Sequence, residues 1–252
     1  MNRLHITLCQ HDIVWGDSEA NRRRVATALA AAPATDVFVV PETFTTGFGD
    51  HMASLAEPSA GPTLHHAQTM AARYGVLFVG TWIVREGDRC YNRLHWVLPD
   101  GTYGHYDKAH TFRISGEADQ IARGASRITF EYKGWRIHPA VCYDLRFPTW
   151  LRNSGMDYDL LLVCANWPAS RREAWTTLLR ARAIENLCYA VGCNRTGTDG
   201  HGGEYSGDSM AIDPKGFAIA ADDARPGCLT FTLDLDRLRS FRERWPFYLD
   251  FD

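Results

Sequence analysis

A carboxylate, an ammonium and a thiol each stand where an apolar run of this 252-residue chain gives out. Glu42 closes Val-Phe-Val-Val-Pro-Glu, Lys108 closes Tyr-Gly-His-Tyr-Asp-Lys, and Cys142 closes His-Pro-Ala-Val-Cys. The three types suit displacement at a carbonyl: the thiol attacks, the carboxylate takes its proton, and a fixed cation steadies the oxyanion. Cys142 carries most of the argument, because it passes at once into the polar turn Tyr143-Asp144-Leu145-Arg146. Reactive thiols sit at element ends near backbone N–H groups and charges, whereas inert ones sit inside apolar strands. Singly, each residue has a plainer reading: a solvated turn glutamate, a surface lysine, a core cysteine. From the residues alone, a thiol-dependent enzyme and an ordinary packed domain both stay open.

The elements that must deliver these groups alternate between strands and helices. Residues 5–9 predict a strand, and Asp17 or Ser18 caps an Ala-rich helix to about Ala32. Residues 37–40 form a continuous apolar run, the pattern of a strand covered on both faces. A helix over about 62–74 stops at Gly75; strands over 76–84 and 91–98 follow, and Pro99-Asp100-Gly101 turns into another ending near Tyr106. Residues 127–132 and 135–142 read as a hairpin about Lys133-Gly134, 160–165 as a buried strand, and 173–186 as a helix. Strands over 187–193, 209–212, 217–220 and 229–233 precede a last helix near 236–244. The order indicates a layered α/β domain with mixed sheets. Two sheets packed face to face under helices would explain the doubly apolar strands, and a single doubly wound sheet fits the periodicity equally. In open α/β architectures ligands bind at strand carboxyl ends, where all three residues fall.

Composition narrows the function classes. A net charge of -3, from 27 basic and 30 acidic residues, favours neither nucleic acid nor an anionic membrane as partner. Arg22-Arg23-Arg24 precedes Val25, Ala26, Ala28 and Leu29 and reads as a solvated helix face. No apolar run reaches membrane-spanning length, and the N-terminus lacks the pattern of a secretory signal, so a cytoplasmic protein is expected. Seven cysteines, odd in number and without a CxxC pair, argue against a disulfide framework and a zinc knuckle. Cys9 and Cys164 read as core, and Cys188 and Cys193 should face opposite sides of one strand. The ten histidines form no metal-binding pattern, so no metal site is expected. No linker or repeat divides the chain, which reads as one domain over residues 1–252.

Pro41-Glu42-Thr-Phe44, Tyr106-Asp-Lys108-Ala-His-Thr-Phe112 and Val141-Cys142-Tyr-Asp-Leu-Arg-Phe-Pro148 resemble, in order, the three signature blocks of the nitrilase (carbon–nitrogen hydrolase) superfamily. Ala165-Asn-Trp-Pro168, Leu179-Arg-Ala-Arg-Ala-Ile-Glu-Asn186, Gly192-Cys-Asn-Arg-Thr-Gly-Thr-Asp199 and Tyr205-Ser-Gly-Asp-Ser209 are similar to its later blocks, and together they look most like the omega-amidase branch. The resemblance spans nearly the whole chain. It implies a four-layer αββα sandwich of two mixed sheets flanked by helices, a homodimer, and no cofactor. It implies Glu42 as general base, Lys108 as oxyanion stabiliser, Cys142 as nucleophile and Glu117 as a second active-site glutamate. Thr111 stands where a leucine is usual, and Thr149 where many members carry glutamate, so branch and substrate are where this chain departs.

The implied reaction hydrolyses the terminal amide of 2-oxoglutaramate or 2-oxosuccinamate through a thioester. The backbone N–H of Tyr143 would join Lys108 at the oxyanion, and Glu117 would position the amide nitrogen or Lys108. The substrate's second carboxylate needs a cation: Arg171 and Arg195 are candidates, because a guanidinium grips a carboxylate bidentately. Trp167, Phe44 and Tyr205 could wall the pocket, while Asp144 and Arg146 are expected to fix the loop. Arg182 and Glu185, at i,i+3, should pair on their helix. An N-carbamoyl amino acid, a nitrile or deaminated glutathione remains an alternative substrate, and a non-catalytic binding protein an alternative class.

Overall fold

The computed structural model describes residues 2–221 and 225–251. Its strands are β1 (Arg3–Gln10), β2 (Val37–Val39), β3 (Glu57–Pro58), β4 (Leu77–Glu86), β5 (Arg89–Val97) and β6 (Tyr103–Asp107), then β7 (Phe130–Tyr132), β8 (Trp135–Val141), β9 (Leu160–Cys164) and β10 (Tyr189–Cys193). There follow β11 (Thr196–Thr198), β12 (Glu204–Ser206), β13 (Met210–Ile212), β14 (Ala218–Ala221) and β15 (Gly227–Asp234). The helices are α1 (Ser18–Ala31), α2 (Pro62–Tyr74), α3 (Glu117–Gln120), α4 (Arg172–Glu185) and α5 (Leu235–Arg244).

Each long helix begins and ends where its sequence says it must. The Asp17 carboxylate accepts the Ala20 N–H at 2.9 Å, capping α1. Pro62 opens α2, where its missing N–H costs nothing, and Gly75 closes it at φ 67°.

One sheet runs β15-β1-β2-β4-β5-β6, with β3 on β4, and the other runs β14-β13-β10-β9-β8-β7. Strands β1, β2 and β4 are mutually parallel, as are β8, β9 and β10, and antiparallel strands extend both sheets. Leu4, Ile6, Leu8, Val37 and Val39 of the first sheet share one buried cluster with Ile137, Val141, Leu160, Leu162 and Val191 of the second. Alternate residues turn the other way: Phe38 and Phe78 meet Val25, Leu29 and Leu64 of α1 and α2. Leu161 and Val163 meet Trp175, Leu179 and Ala183 of α4. The layers are therefore α, β, β, α, and the single-sheet alternative is excluded by the shared inter-sheet core.

Most strand limits shift by one to three residues from the periodicity, and β3, β11 and β12 were not expected from it. The first hairpin strand begins at Phe130 rather than residue 127. Leu187, at φ 48°, still belongs to the turn leaving α4, so its strand starts at Tyr189. Cys188 and Cys193 do fall in cores on opposite faces of the second sheet.

Packing of α4 depends on a glycine. A Cβ on Gly192 would lie 2.6 Å from Trp175 and 2.7 Å from Leu179. Gly192→Ala should therefore destabilise the chain by about 1–3 kcal/mol, read as a lower midpoint in urea unfolding.

Candidate active site

Glu42 follows β2, Lys108 follows β6 and Cys142 follows β8, so face-to-face sheets bring three strand ends together. Thr43 and Cys142 both hold left-handed backbone, at φ 45° and 44°. Such strain costs on the order of 1–3 kcal/mol per residue and persists only where surrounding contacts impose it. At Thr43 the N–H is held by Thr81 Oγ1 at 2.7 Å. At Cys142 the constraint is Asp144, buried two residues on, which opens the 3-10 turn over Cys142–Arg146.

Asp144 accepts four hydrogen bonds: from Val141 N at 3.0 Å, Tyr106 Oη at 2.8 Å, His110 N at 2.9 Å and His110 Nδ1 at 2.8 Å. It ties the cysteine turn to the lysine segment on the facing sheet. From behind, the Arg182 guanidinium donates to the Leu145 carbonyl at 2.7 and 3.1 Å while pairing with Glu185 at 2.9 Å. The expected i,i+3 pair is present, and it also clamps the turn.

The charged groups form one buried network. Lys108 Nζ lies 2.8 Å from Glu42 Oε1, and 3.0 and 2.9 Å from Glu117 Oε1 and Oε2, all three side chains being inaccessible to solvent. Burial alone would push the ammonium down, but the Glu117 and Glu42 charges reverse this and hold it above the ordinary lysine value. Burial holds the Glu117 carboxyl above its usual range, although Lys108 opposes the shift. Glu117 Oε2 also accepts the Phe112 N–H at 2.6 Å. Its carboxylate is thereby turned onto the lysine and away from the cavity.

Glu42 is held on its other side by the Asn166 N–H, 2.9 Å from Oε2, and by Asn92 Nδ2, 2.8 Å from Oε1. The same carboxylate acts on the Cys142 thiol. Burial first, then the Glu42 charge, pushes the thiol well above its ordinary value, with Lys108 acting against them. The direction of this shift favours the protonated thiol, with Glu42 as the carboxylate base acting on it.

Cys142 and Lys108 open on a cavity of about 350 Å³. Phe48, Phe112, Tyr143, Trp167 and Tyr205 supply its apolar walls. Arg146 and Arg171 supply guanidiniums, stacked 4.9 Å over Trp167 and 5.2 Å over Phe112. Neither makes an ion pair among the described residues. Asp50, Asp199 and His201 line the same cavity.

Of the residues proposed from sequence to hold substrate, Arg171, Trp167 and Tyr205 line this cavity. Two do not and are corrected. Arg195 is wholly buried, bonded to Asp12 Oδ1 at 2.9 Å and to the Thr196 and Thr198 carbonyls, with its guanidinium 4.5 Å from the Tyr205 ring centre. It supports the wall without facing the substrate space. Phe44 packs against Phe78 and Trp82 in the helix-facing core of the first sheet. Arg146, expected to fix the loop, lines the cavity instead. Asn92 escaped notice altogether, since a lone asparagine within Tyr-Asn-Arg reads as the solvent side of an alternating strand. Among the described residues, no group of three His, Cys, Asp or Glu is placed to hold a metal ion.

The profile of the carbon–nitrogen hydrolase family matches residues 5–243. Omega-amidase YafV of Yersinia enterocolitica is 43% identical over 253 residues, covering 100% of this chain and 98% of the relative. The 2-oxoglutaramate amidase of Bacillus subtilis is 31% identical, with 97% and 96% covered. Among solved structures, a CN-hydrolase superfamily protein of Xanthomonas campestris, bearing an arsenic adduct in its active site, superposes at TM-score 0.97 with 42% identity, covering 100% of this chain and 98% of its own. Saccharomyces cerevisiae Nit3, of the nitrilase superfamily, superposes at 0.88 with 23% identity, covering 97% and 95%, a likeness of fold.

Proposed function

The chain belongs to the carbon–nitrogen hydrolase family, and on that premise we propose that it is an omega-amidase, hydrolysing the terminal amide of 2-oxoglutaramate or 2-oxosuccinamate to the dicarboxylate and ammonia. One observation carries the reading: a thiol under the influence of a buried carboxylate and ammonium opens on a cavity lined by two guanidiniums that, among the described residues, make no ion pair. The thiol suits the amide end of such a substrate, and the guanidiniums suit its carboxylate end.

In the proposed mechanism Glu42 takes the Cys142 proton as Sγ attacks the amide carbon. Because the resting thiol is protonated, transfer accompanies attack rather than preceding it. Lys108 stands over the developing oxyanion. Glu117 grips it with both oxygens, so one N–H can turn to the substrate while another stays bonded. The Tyr143 N–H lies in the first turn of the one-turn helix, where no intrahelical acceptor exists, and is the second oxyanion donor. Glu42 passes the proton to the departing nitrogen, ammonia leaves, and a thioester remains. Water deprotonated by Glu42 then releases the acid. Glu117 acts through Lys108 and is a positioning residue.

Arg171 and Arg146 are assigned to the substrate carboxylate, with Trp167, Phe112 and Tyr205 as the pocket walls. A charge-assisted hydrogen bond contributes about 1.5–3 kcal/mol, so Arg171→Ala or Arg146→Ala should lower kcat/KM for 2-oxoglutaramate about 10- to 100-fold. Turnover of a neutral alkyl amide should change little. Ammonia release measured over 2-oxoglutaramate, 2-oxosuccinamate, glutamine, an N-carbamoyl amino acid and that neutral amide tests both claims. Preference for the neutral or N-carbamoyl compound would overturn the omega-amidase reading.

The proposal extends to a single domain acting in the cytoplasm as a homodimer. A family match over residues 5–243 supports the first. For the second, all seven cysteines are thiols, and no helix among the described residues is long and apolar enough to cross a membrane. Exposed Phe217, Ile219 and Ile184 offer the apolar surface a partner would cover.

A further inference from the structure

We propose that Cys9 and Cys228 form a peroxide-responsive dithiol that closes to a disulfide across the edge of the first sheet. The two residues are direct register partners on antiparallel β1 and β15. Side chains directly opposite in such a pair share one face, with Cβ atoms about 4.5–5.5 Å apart, and a disulfide tolerates Cα separations of about 4.4–6.8 Å. Closing the bond therefore calls for a contraction of about an ångström in Cβ separation and no change of register. The Cys228 thiol is the largest influence on the Cys9 proton.

Their surroundings divide the two roles. Cys228 is exposed, while Cys9 is 1% exposed and belongs to the helix-facing core. Both line an open groove between α1 and the strand pair, with His11, Arg23 and Arg24, wide enough for a small polar oxidant. The neighbouring Cys228 thiol, then burial, push Cys9 well above the ordinary thiol value, so it resists direct oxidation. Cys193 is no rival partner. It packs in the inter-sheet core, its Sγ directed to the Val39 carbonyl at 3.5 Å and the Cys9 carbonyl at 3.8 Å.

The chemistry balances in two steps. Hydrogen peroxide oxidises the Cys228 thiol to a sulfenic acid and is reduced to water. The Cys9 sulfur then attacks the Cys228 sulfur, forming the S–S bond, and the departing hydroxide leaves as water with the Cys9 proton. Cys142 takes no part, so this site and the amidase reading stand or fall separately.

The test uses full-length Cys142→Ala protein, which removes the cavity thiol, treated with a slight excess of hydrogen peroxide. Non-reducing peptide mapping should show the Cys9 and Cys228 peptides joined, with loss of two hydrogens, and dithiothreitol should separate them. Thermal unfolding should rise on oxidation, because the bond closes a loop of most of the chain, and the rise should be absent from Cys142→Ala/Cys228→Ser. Conversion of Cys228 only to sulfinic or sulfonic acid, a Cys228-linked pair of chains, or a Cys9–Cys193 link would each overturn the proposal.

Discussion

Cys142→Ala is expected to abolish amide hydrolysis, lowering kcat by several orders of magnitude in an ammonia-release assay. The variant loses the thiol that bonds to the substrate carbon, and among the described residues no other cysteine lines the cavity. Cys164 and Cys193 are buried in the core, outside the cavity lining. The fold should survive, because Cys142 is only half-buried and alanine fits the space, so thermal unfolding should move little. Substrate should still bind, measured by calorimetry, since Arg146 and Arg171 are untouched. Retention of more than about one hundredth of the activity would remove Cys142 from the nucleophile role.

Lys108→Met is expected to damage both activity and stability. Methionine matches the lysine stem but leaves Glu42 and Glu117 facing each other without their shared cation. Breaking a buried ion pair from one side costs about 3–5 kcal/mol. The pH dependence follows from the direction of the Glu117 shift. In the intact protein its carboxyl is raised by burial while Lys108 pulls it down, so the variant should raise it further. A folded state that binds more protons than the unfolded one loses stability as pH rises. The deficit of Lys108→Met against the parent should therefore be larger in mildly alkaline than in mildly acidic urea titrations. A deficit independent of pH would mean that Lys108 does not hold the Glu117 carboxyl down. Lys108→Arg keeps the charge but not the compact ammonium; it should recover stability more than activity.

Glu42 and Cys142 stand out because each ends a continuous apolar run, whereas Lys108 follows the mixed segment Tyr-Gly-His-Tyr-Asp and is singled out by the resemblance of its block. Helix limits were legible because Asp17, Pro62 and Gly75 act locally. Sidedness was not. Phe44 and Arg195 lie in signature blocks beside the site, yet one turns to the helix layer and the other under the wall, and that choice is made by residues far along the chain, such as Trp82 and Asp12. Asn92 is the same problem reversed: a mid-strand amide became a partner of Glu42 only when β5 was paired with β6 and its loop. Arg146 was misjudged because the turn after Cys142 is anchored by Asp144 and Arg182, which frees the intervening arginine to face the cavity.

The buried network also sorts the two ends of a substrate. Two carboxylates against one ammonium leave the floor of the cavity with a formal excess of one negative charge, while its lining carries the guanidiniums of Arg146 and Arg171 together with the carboxylates of Asp50 and Asp199. A molecule with an uncharged amide at one end and a carboxylate at the other can set its amide against this floor and leave its carboxylate to Arg146 and Arg171. Once hydrolysed, the same molecule has an anion at both ends, and the newly formed one sits against the negative floor. Reaction thus sets a like charge against the buried carboxylates, so departure of the acid is favoured by the network that served the chemistry.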